Sequence, residues 1–160
     1  MKVLKYFGIG IGAVVLIAFT GLLVIGSRGP DTSIYFGRQI PHRFLKEIRS
    51  LELIGAEEEI KYFYSDALTD IKEGMYFVTN KNLVLYSSEW EEPKTILSYS
   101  DIFNVEPDYN DSFFEDSMIL IDTLDYTISL PLSSEYGRDR KFVEFILEKM
   151  QEGESPAEVK

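Results

Sequence analysis

Met75-Tyr76-Phe77-Val78-Thr79-Asn80-Lys81-Asn82-Leu83-Val84-Leu85-Tyr86 is the stretch that decides the fold. Its two arms, Met75 to Thr79 and Leu83 to Tyr86, are built from aromatic, aliphatic and β-branched residues, and Asn80-Lys81-Asn82 between them is turn-forming. Such a text predicts two antiparallel strands joined by a tight connection.

The pattern continues outward in both directions. Ile60 to Tyr64 reads as a strand before this hairpin. Glu89-Trp90-Glu91-Glu92-Pro93 reads as a turn after it, followed by strands over Thr95–Tyr99 and Ile102–Val105. An acidic loop from Asp108 to Asp116 precedes Met118–Ile121, and Thr127–Leu130 closes the series. About seven strands at spacings near ten residues, joined by short polar turns, predict an antiparallel meander folded as a small barrel or sandwich. The period then changes. Phe142, Val143, Ile146, Leu147 and Met150 recur on one face of a helix from about Arg138 to Gln151, and Gly153 sits where a stop is expected.

Upstream, Gly29-Pro30-Asp31 punctuates a linker over residues 27–40. Pro41 suits the first turn of a helix carrying Phe44, Leu45, Ile48 and Leu51 on one face, and Gly55 is its expected end. That stripe fits a helix packed on its own domain; a basic amphipathic helix resting on a membrane surface is the alternative. The expected divisions are 1–27, a transmembrane anchor; 28–54, linker and juxtamembrane helix; 55–152, a folded α+β domain; and 153–160, a flexible tail.

Residues 6–27 carry no charge and are mostly Val, Ile, Leu, Phe, Gly and Ala. About twenty helical residues at roughly 1.5 Å each cross a hydrocarbon core of about 30 Å. Lys2 and Lys5 would also suit a cleaved signal peptide, but the apolar run is longer than the usual 7–15 or so residues of that class. A single-pass anchor in the plasma (inner) membrane is therefore expected. A short basic N-terminus is normally held inside, which places the domain outside the cytoplasm; Arg28, Arg38, Arg43 and Lys46 pull the other way. Gly8 and Gly12 form a G-x-x-x-G pair that suits a homodimer contact through the anchor.

Charge is unevenly distributed. The net −11 divides into +2 over residues 1–26, +3 over 27–49 and −16 over 50–160. Nucleic acid is a poor partner for such a surface, because phosphate binding needs a basic face. Cysteine is absent, so disulfides, thiol catalysis and thiolate metal sites are excluded. His42 is the single histidine, and no Gly-x-Ser-x-Gly elbow accompanies it, so neither a zinc site nor a serine triad is expected. Asp108, Asn110 and Ser112 match the opening of a calcium loop, but Phe113 replaces the glycine and Ile119 the final glutamate. No catalytic residue, cofactor or metal ligand is assigned; a looser calcium site in that loop stays open.

The local text resembles bacterial pleckstrin-homology-like (PH-like) domains. The matching pieces are Glu58-Glu59-Ile60-x-Tyr62, Gly74, Phe77 to Tyr86, Tyr99-Ser100-Asp101-Ile102-x-x-Val105, Asp116 to Ile121 and Asp125-Tyr126-Thr127-Ile128. The resemblance covers roughly residues 55–152 and implies an antiparallel split barrel of about seven strands with a C-terminal capping helix. There are departures. Asn82 stands where the family's usual arginine would be, and Asp125-Tyr126 replaces an Asp-Gly turn. The loop Ser65 to Gly74 holds one lysine against three acids, so phosphoinositide chemistry does not carry over.

The expectation is a membrane-anchored, non-enzymatic interaction module that binds a protein partner, with Trp90, Tyr109, Phe113 and Phe114 as a candidate contact loop. The alternative is a small-molecule or lipid sensor with a pocket between the sheet and the last helix.

Overall fold

Strand β3, Met75–Thr79, is buried at all five positions, and the architecture follows from covering both of its faces. The computed structural model describes residues 29–112 and 115–154. The other strands are β1 (Tyr35–Phe36), β2 (Ile60–Tyr64), β4 (Asn82–Tyr86), β5 (Lys94–Ser98), β6 (Ile102–Asp108), β7 (Ser117–Thr123) and β8 (Thr127–Leu132). Among the described residues two helices, α1 (His42–Ser50) and α2 (Arg138–Glu154), complete the fold with short 3-10 turns.

Every strand pairing is antiparallel. The first sheet runs β1-β2-β3-β4-β5 and the second β6-β7-β8. Among the described residues no ladder joins the two sheets, so the barrel is not closed. The sheet order and the terminal helix fit the PH-like order.

Side chains alternate across the first sheet, as strand geometry requires. Tyr64, Tyr76, Val78, Leu83 and Leu85 face the second sheet, where they meet Ile119, Ile121, Leu130 and Leu132. Helix α2 closes this core with Phe142, Val143 and Ile146, all fully buried. Phe63, Met75, Phe77 and Val84 point the other way, onto Phe44 and Ile48 of α1 and onto Leu53. Burying side chains of this size is worth about 1.5–3 kcal/mol each, so α1 is a substantial part of the fold.

Several expectations change here. The linker segment supplies β1, with Tyr35 opposite Phe63 and Phe36 opposite Tyr62, so the folded unit begins well before residue 55 and shows eight strands among the described residues. Helix α1 ends at Ser50 rather than near Gly55, because Glu52 takes a left-handed conformation (φ 53°) and stops it. Gly153 does not end α2, which continues to Glu154, and Leu147 is 38% exposed rather than in the apolar face. The Asp125-Tyr126 turn needs no glycine: Tyr126 is not among the left-handed residues, and Thr123 closes the turn with its own N–H and hydroxyl on the Tyr126 carbonyl (2.9 and 2.8 Å).

The apolar segment 6–27 and its Gly8/Gly12 pair lie outside the described residues, as does the tail beyond Glu154. Among the described residues no helix is long and apolar enough to cross a membrane.

Candidate functional site

Where β2 ends and β7 begins, two carboxylates converge on a pair of buried phenols. Tyr64 closes β2 and Tyr76 lies beside it on β3, their rings stacked with centroids 6.4 Å apart. The Tyr64 hydroxyl donates to Asp116 Oδ2 at 2.7 Å, and the Tyr76 hydroxyl donates to Asp66 Oδ2 at 3.0 Å. Burial raises both phenols well above the ordinary tyrosine range, and the adjacent carboxylates raise them further. They therefore act as fixed hydrogen-bond donors.

Asp66 is placed by its neighbour. A Cβ on Gly74 would fall 2.0 Å from Asp66 Oδ1, so only glycine leaves the notch that the carboxylate fills. Loss of hydration raises the Asp66 carboxyl above the usual range, the charge of Asp116 adds to this, and the Tyr76 hydrogen bond opposes it.

Tyr64, Asp66 and Asp116 form one wall of a cleft of about 400 Å³, whose other sides include Asp31 and Thr32 before β1 and Ser133 and Glu135 after β8. Thr32 Oγ1 donates to Glu135 Oε1 at 2.6 Å and holds the two sides together. Asp31, Asp66, Asp116 and Glu135 thus face one space, and none of them is ion-paired among the described residues. Five other acids are matched: Glu59 with Lys61, Asp70 and Glu47 with Lys72, Asp111 with Arg140, and Glu152 with Lys149; what sets the cleft acids apart is that four of them share one space. The cleft is a concentration of negative charge without an ion-paired cation, beside the single ring of Tyr64, suited to an ammonium or guanidinium group.

The contact loop expected from the sequence is only partly assembled. Trp90, 40% exposed in the β4–β5 connection, packs on Tyr76 (centroids 6.5 Å apart) and so joins the edge of this aromatic group. Tyr109 folds back onto the core, with the Arg140 guanidinium 4.3 Å over its ring. Phe113 and Phe114 lie outside the described residues. The acidic loop spends its polar atoms locally: Asn110 Nδ2 donates to Glu115, the Ser112 N–H to Asn110 Oδ1, and the Ser117 hydroxyl to Asp139. Among the described residues no group of three or more His, Asp or Glu side chains is placed to hold a metal ion. His42 is exposed on α1.

Sequence reasoning missed the cleft because its acids come from four separated segments. The nearest signal was the acid excess in two loops, Ser65–Gly74 and Asp108–Asp116, which supply Asp66 and Asp116.

No family model and no curated protein matches the chain. Among solved structures it is similar to a DUF1696 family protein with a pleckstrin-homology domain from Shewanella loihica, at 16% identity and a TM-score of 0.49, over 76% of this chain and 98% of that one. It is also similar to a pleckstrin homology domain from Shewanella amazonensis, at 14% identity and a TM-score of 0.47, over 68% of this chain and 96% of that one.

Proposed function

We propose that this chain is a membrane-tethered, non-enzymatic PH-like interaction module whose acidic cleft receives a basic segment of a protein partner, with the domain outside the cytoplasm. The observation that carries the reading is the convergence of Asp31, Asp66, Asp116 and Glu135 on one cleft without a cation among the described residues. A lysine or arginine side chain entering there meets carboxylates at the rim and the Tyr64 ring on the wall. Charge-assisted hydrogen bonds of this kind are among the stronger polar contacts.

Asp31 is four residues beyond Ser27 in sequence, so if the apolar run is an anchor, roughly 3.5 Å per residue would hold the cleft within about 14 Å of its end. An anchored domain would present the cleft close to the bilayer. The alternative pocket between sheet and last helix is not favoured, since Phe142, Val143 and Ile146 fill that space.

The test uses the full chain in discs of zwitterionic lipid, titrated with a lysine- and arginine-rich peptide and with a glutamate-rich control. Binding of the basic peptide is expected to weaken as salt rises and to fall at least about tenfold in the D66N/D116N double variant. Equal binding of the acidic control, or unchanged binding by the double variant, would overturn the proposal.

A further inference from the structure

At the opposite end of β2 lies a second concavity of different chemistry. It is a groove of about 650 Å³ between α1, the 3-10 turn Gly37–Gln39 and the start of β2. Its apolar surface comes from Leu45, Ile54 and Ile60, and its rim carries Arg38, Arg49 and Lys61. The turn sits hard against the strand: a Cβ on Gly37 would fall 2.0 Å from the Ile60 carbonyl oxygen. That close approach holds the turn against the start of β2, and Arg38 and Lys61 both line the groove.

The charges of this groove cancel only in part. Glu58 is committed to the fold, accepting from the Gly55 N–H at 2.9 Å, from the Asn82 amide at 2.9 Å and from the Thr79 hydroxyl. Glu59 is paired with Lys61 at 2.8 Å. The side chains of Arg38 and Arg49 are exposed and make no hydrogen bond or ion pair among the described residues, although, after the hydrogen bond and charge of Lys61, the charge of Arg38 helps hold the Glu59 carboxyl below the usual range. The lining thus carries Arg38, Arg49 and Lys61 against Glu58 and Glu59, a local net of +1 in a chain of net −11. The guanidinium fork matches carboxylate and phosphate oxygens bidentately. Pockets that hold small ligands typically span about 300–1,000 Å³ with an apolar lining and a few placed polar groups.

We infer that this groove binds a single anionic amphiphile, with a carboxylate or phosphate head on Arg38 and Arg49 and the first carbons of an apolar chain against Leu45, Ile54 and Ile60. The site is independent of the acidic cleft: it uses other residues and the opposite sign of charge. It also differs from the sheet–helix pocket, which is filled. Both halves of the ligand are needed, because a bare anion gains nothing from the apolar floor and a neutral chain offers the two guanidinium groups no oxyanion.

The experiment is a titration of the full chain in discs of zwitterionic lipid, followed through the amide resonances of residues 37–39, 45–49, 54 and 58–61. Four probes are used: octanoate, octyl phosphate, inorganic phosphate and octanol. At least one of the two anionic octyl compounds is expected to shift those resonances saturably, and the preferred head identifies the ligand class. Inorganic phosphate and octanol are expected to bind at least about tenfold more weakly. The R38Q/R49Q double variant is expected to lose at least about tenfold in affinity while its other resonances stay in place, since both side chains are exposed. Binding of octanol or of inorganic phosphate as tight as that of the octyl anions would overturn the inference. So would unchanged binding by the double variant, or no saturable shift with either octyl anion. Loss of peptide binding in D66N/D116N with octyl-anion binding intact would show that the two sites stand or fall separately.

Discussion

The Tyr64 hydroxyl donates to Asp116 Oδ2 at 2.7 Å and thereby ties the last residue of β2, in the first sheet, to the residue preceding β7, in the second. The bond crosses a gap that no backbone ladder bridges among the described residues. Replacing Tyr64 by Phe keeps the stack on Tyr76 and removes only this tie. Asp116 is exposed and regains water, so the loss is that of one hydrogen bond, about 1 kcal/mol. Denaturation followed by the fluorescence of Trp90, the single tryptophan, should show a midpoint lowered by roughly 3–6 °C.

Glu58 makes the fold sensitive to acid. Burial pulls its carboxyl upward, but hydrogen bonds from the Gly55 N–H, Thr79 and Asn82 outweigh this and hold it below the usual range. A lowered folded-state value means stability that is present above the unfolded value, about 4.3, and lost as pH falls through the folded one. E58A should therefore cost about 2 kcal/mol at pH 7, after allowance for partial exposure, and progressively less below about pH 4. Denaturant titrations of parent and variant between pH 3 and 7 measure the closing gap.

The motif that prompted the family resemblance gains a physical meaning from the same contacts. Glu58, Thr79 and Asn82 bind one another, the Glu59 N–H donates to Asn80 Oδ1, and the Tyr99 hydroxyl reaches the Thr79 and Asn82 carbonyls at 2.6 and 3.0 Å. Asn82, which departs from the family's arginine, serves here as a partner of Glu58. Strands β2 to β4 and helix α2 were legible because long apolar runs and three-to-four spacing dominate their text. Strand β1 was not, since two residues have no periodicity and Gly29-Pro30-Asp31 reads as punctuation. Neither end of α1 nor α2 was placed by its glycine: Glu52 does the work expected of Gly55, and α2 runs through Gly153. The cleft was hidden because, among 27 acidic residues, nothing local marks the four that converge.

Asp66 should behave oppositely to Glu58. Its carboxyl is raised, chiefly by loss of hydration and then by the Asp116 charge, so protonation favours the folded state. The stability this lends is fully present below the unfolded value, about 3.9, and is lost as pH rises through the folded one. D66N, which removes the charge at every pH while keeping an oxygen for the Tyr76 hydroxyl, should be more stable than the parent at pH 7. The advantage should vanish below about pH 4. A parent-minus-variant difference that is flat from pH 3 to 7 would show that Asp66 carries no such penalty.

Helix α1 ends in a motif normally built on glycine. The Leu53 N–H donates to the Ile48 carbonyl at 3.2 Å and the Glu52 N–H to the Arg49 carbonyl at 3.1 Å, with Leu53 and Ile48 packed together in the apolar cluster. Glu52 occupies the left-handed position at φ 53°, where a side chain costs roughly 1–2 kcal/mol, and its charge faces the negative end of the helix dipole. Glycine removes both penalties, at the expense of more conformational freedom in the unfolded chain. E52G should therefore stabilise the domain by about 1 kcal/mol and raise the denaturation midpoint by roughly 3–6 °C. E52A is the discriminating control: it removes the charge but keeps the Cβ, so it should recover only the smaller electrostatic part, about 0.3–1 kcal/mol. Equal gains from the two variants would mean that the dipole, not the backbone conformation, is what strains this helix end.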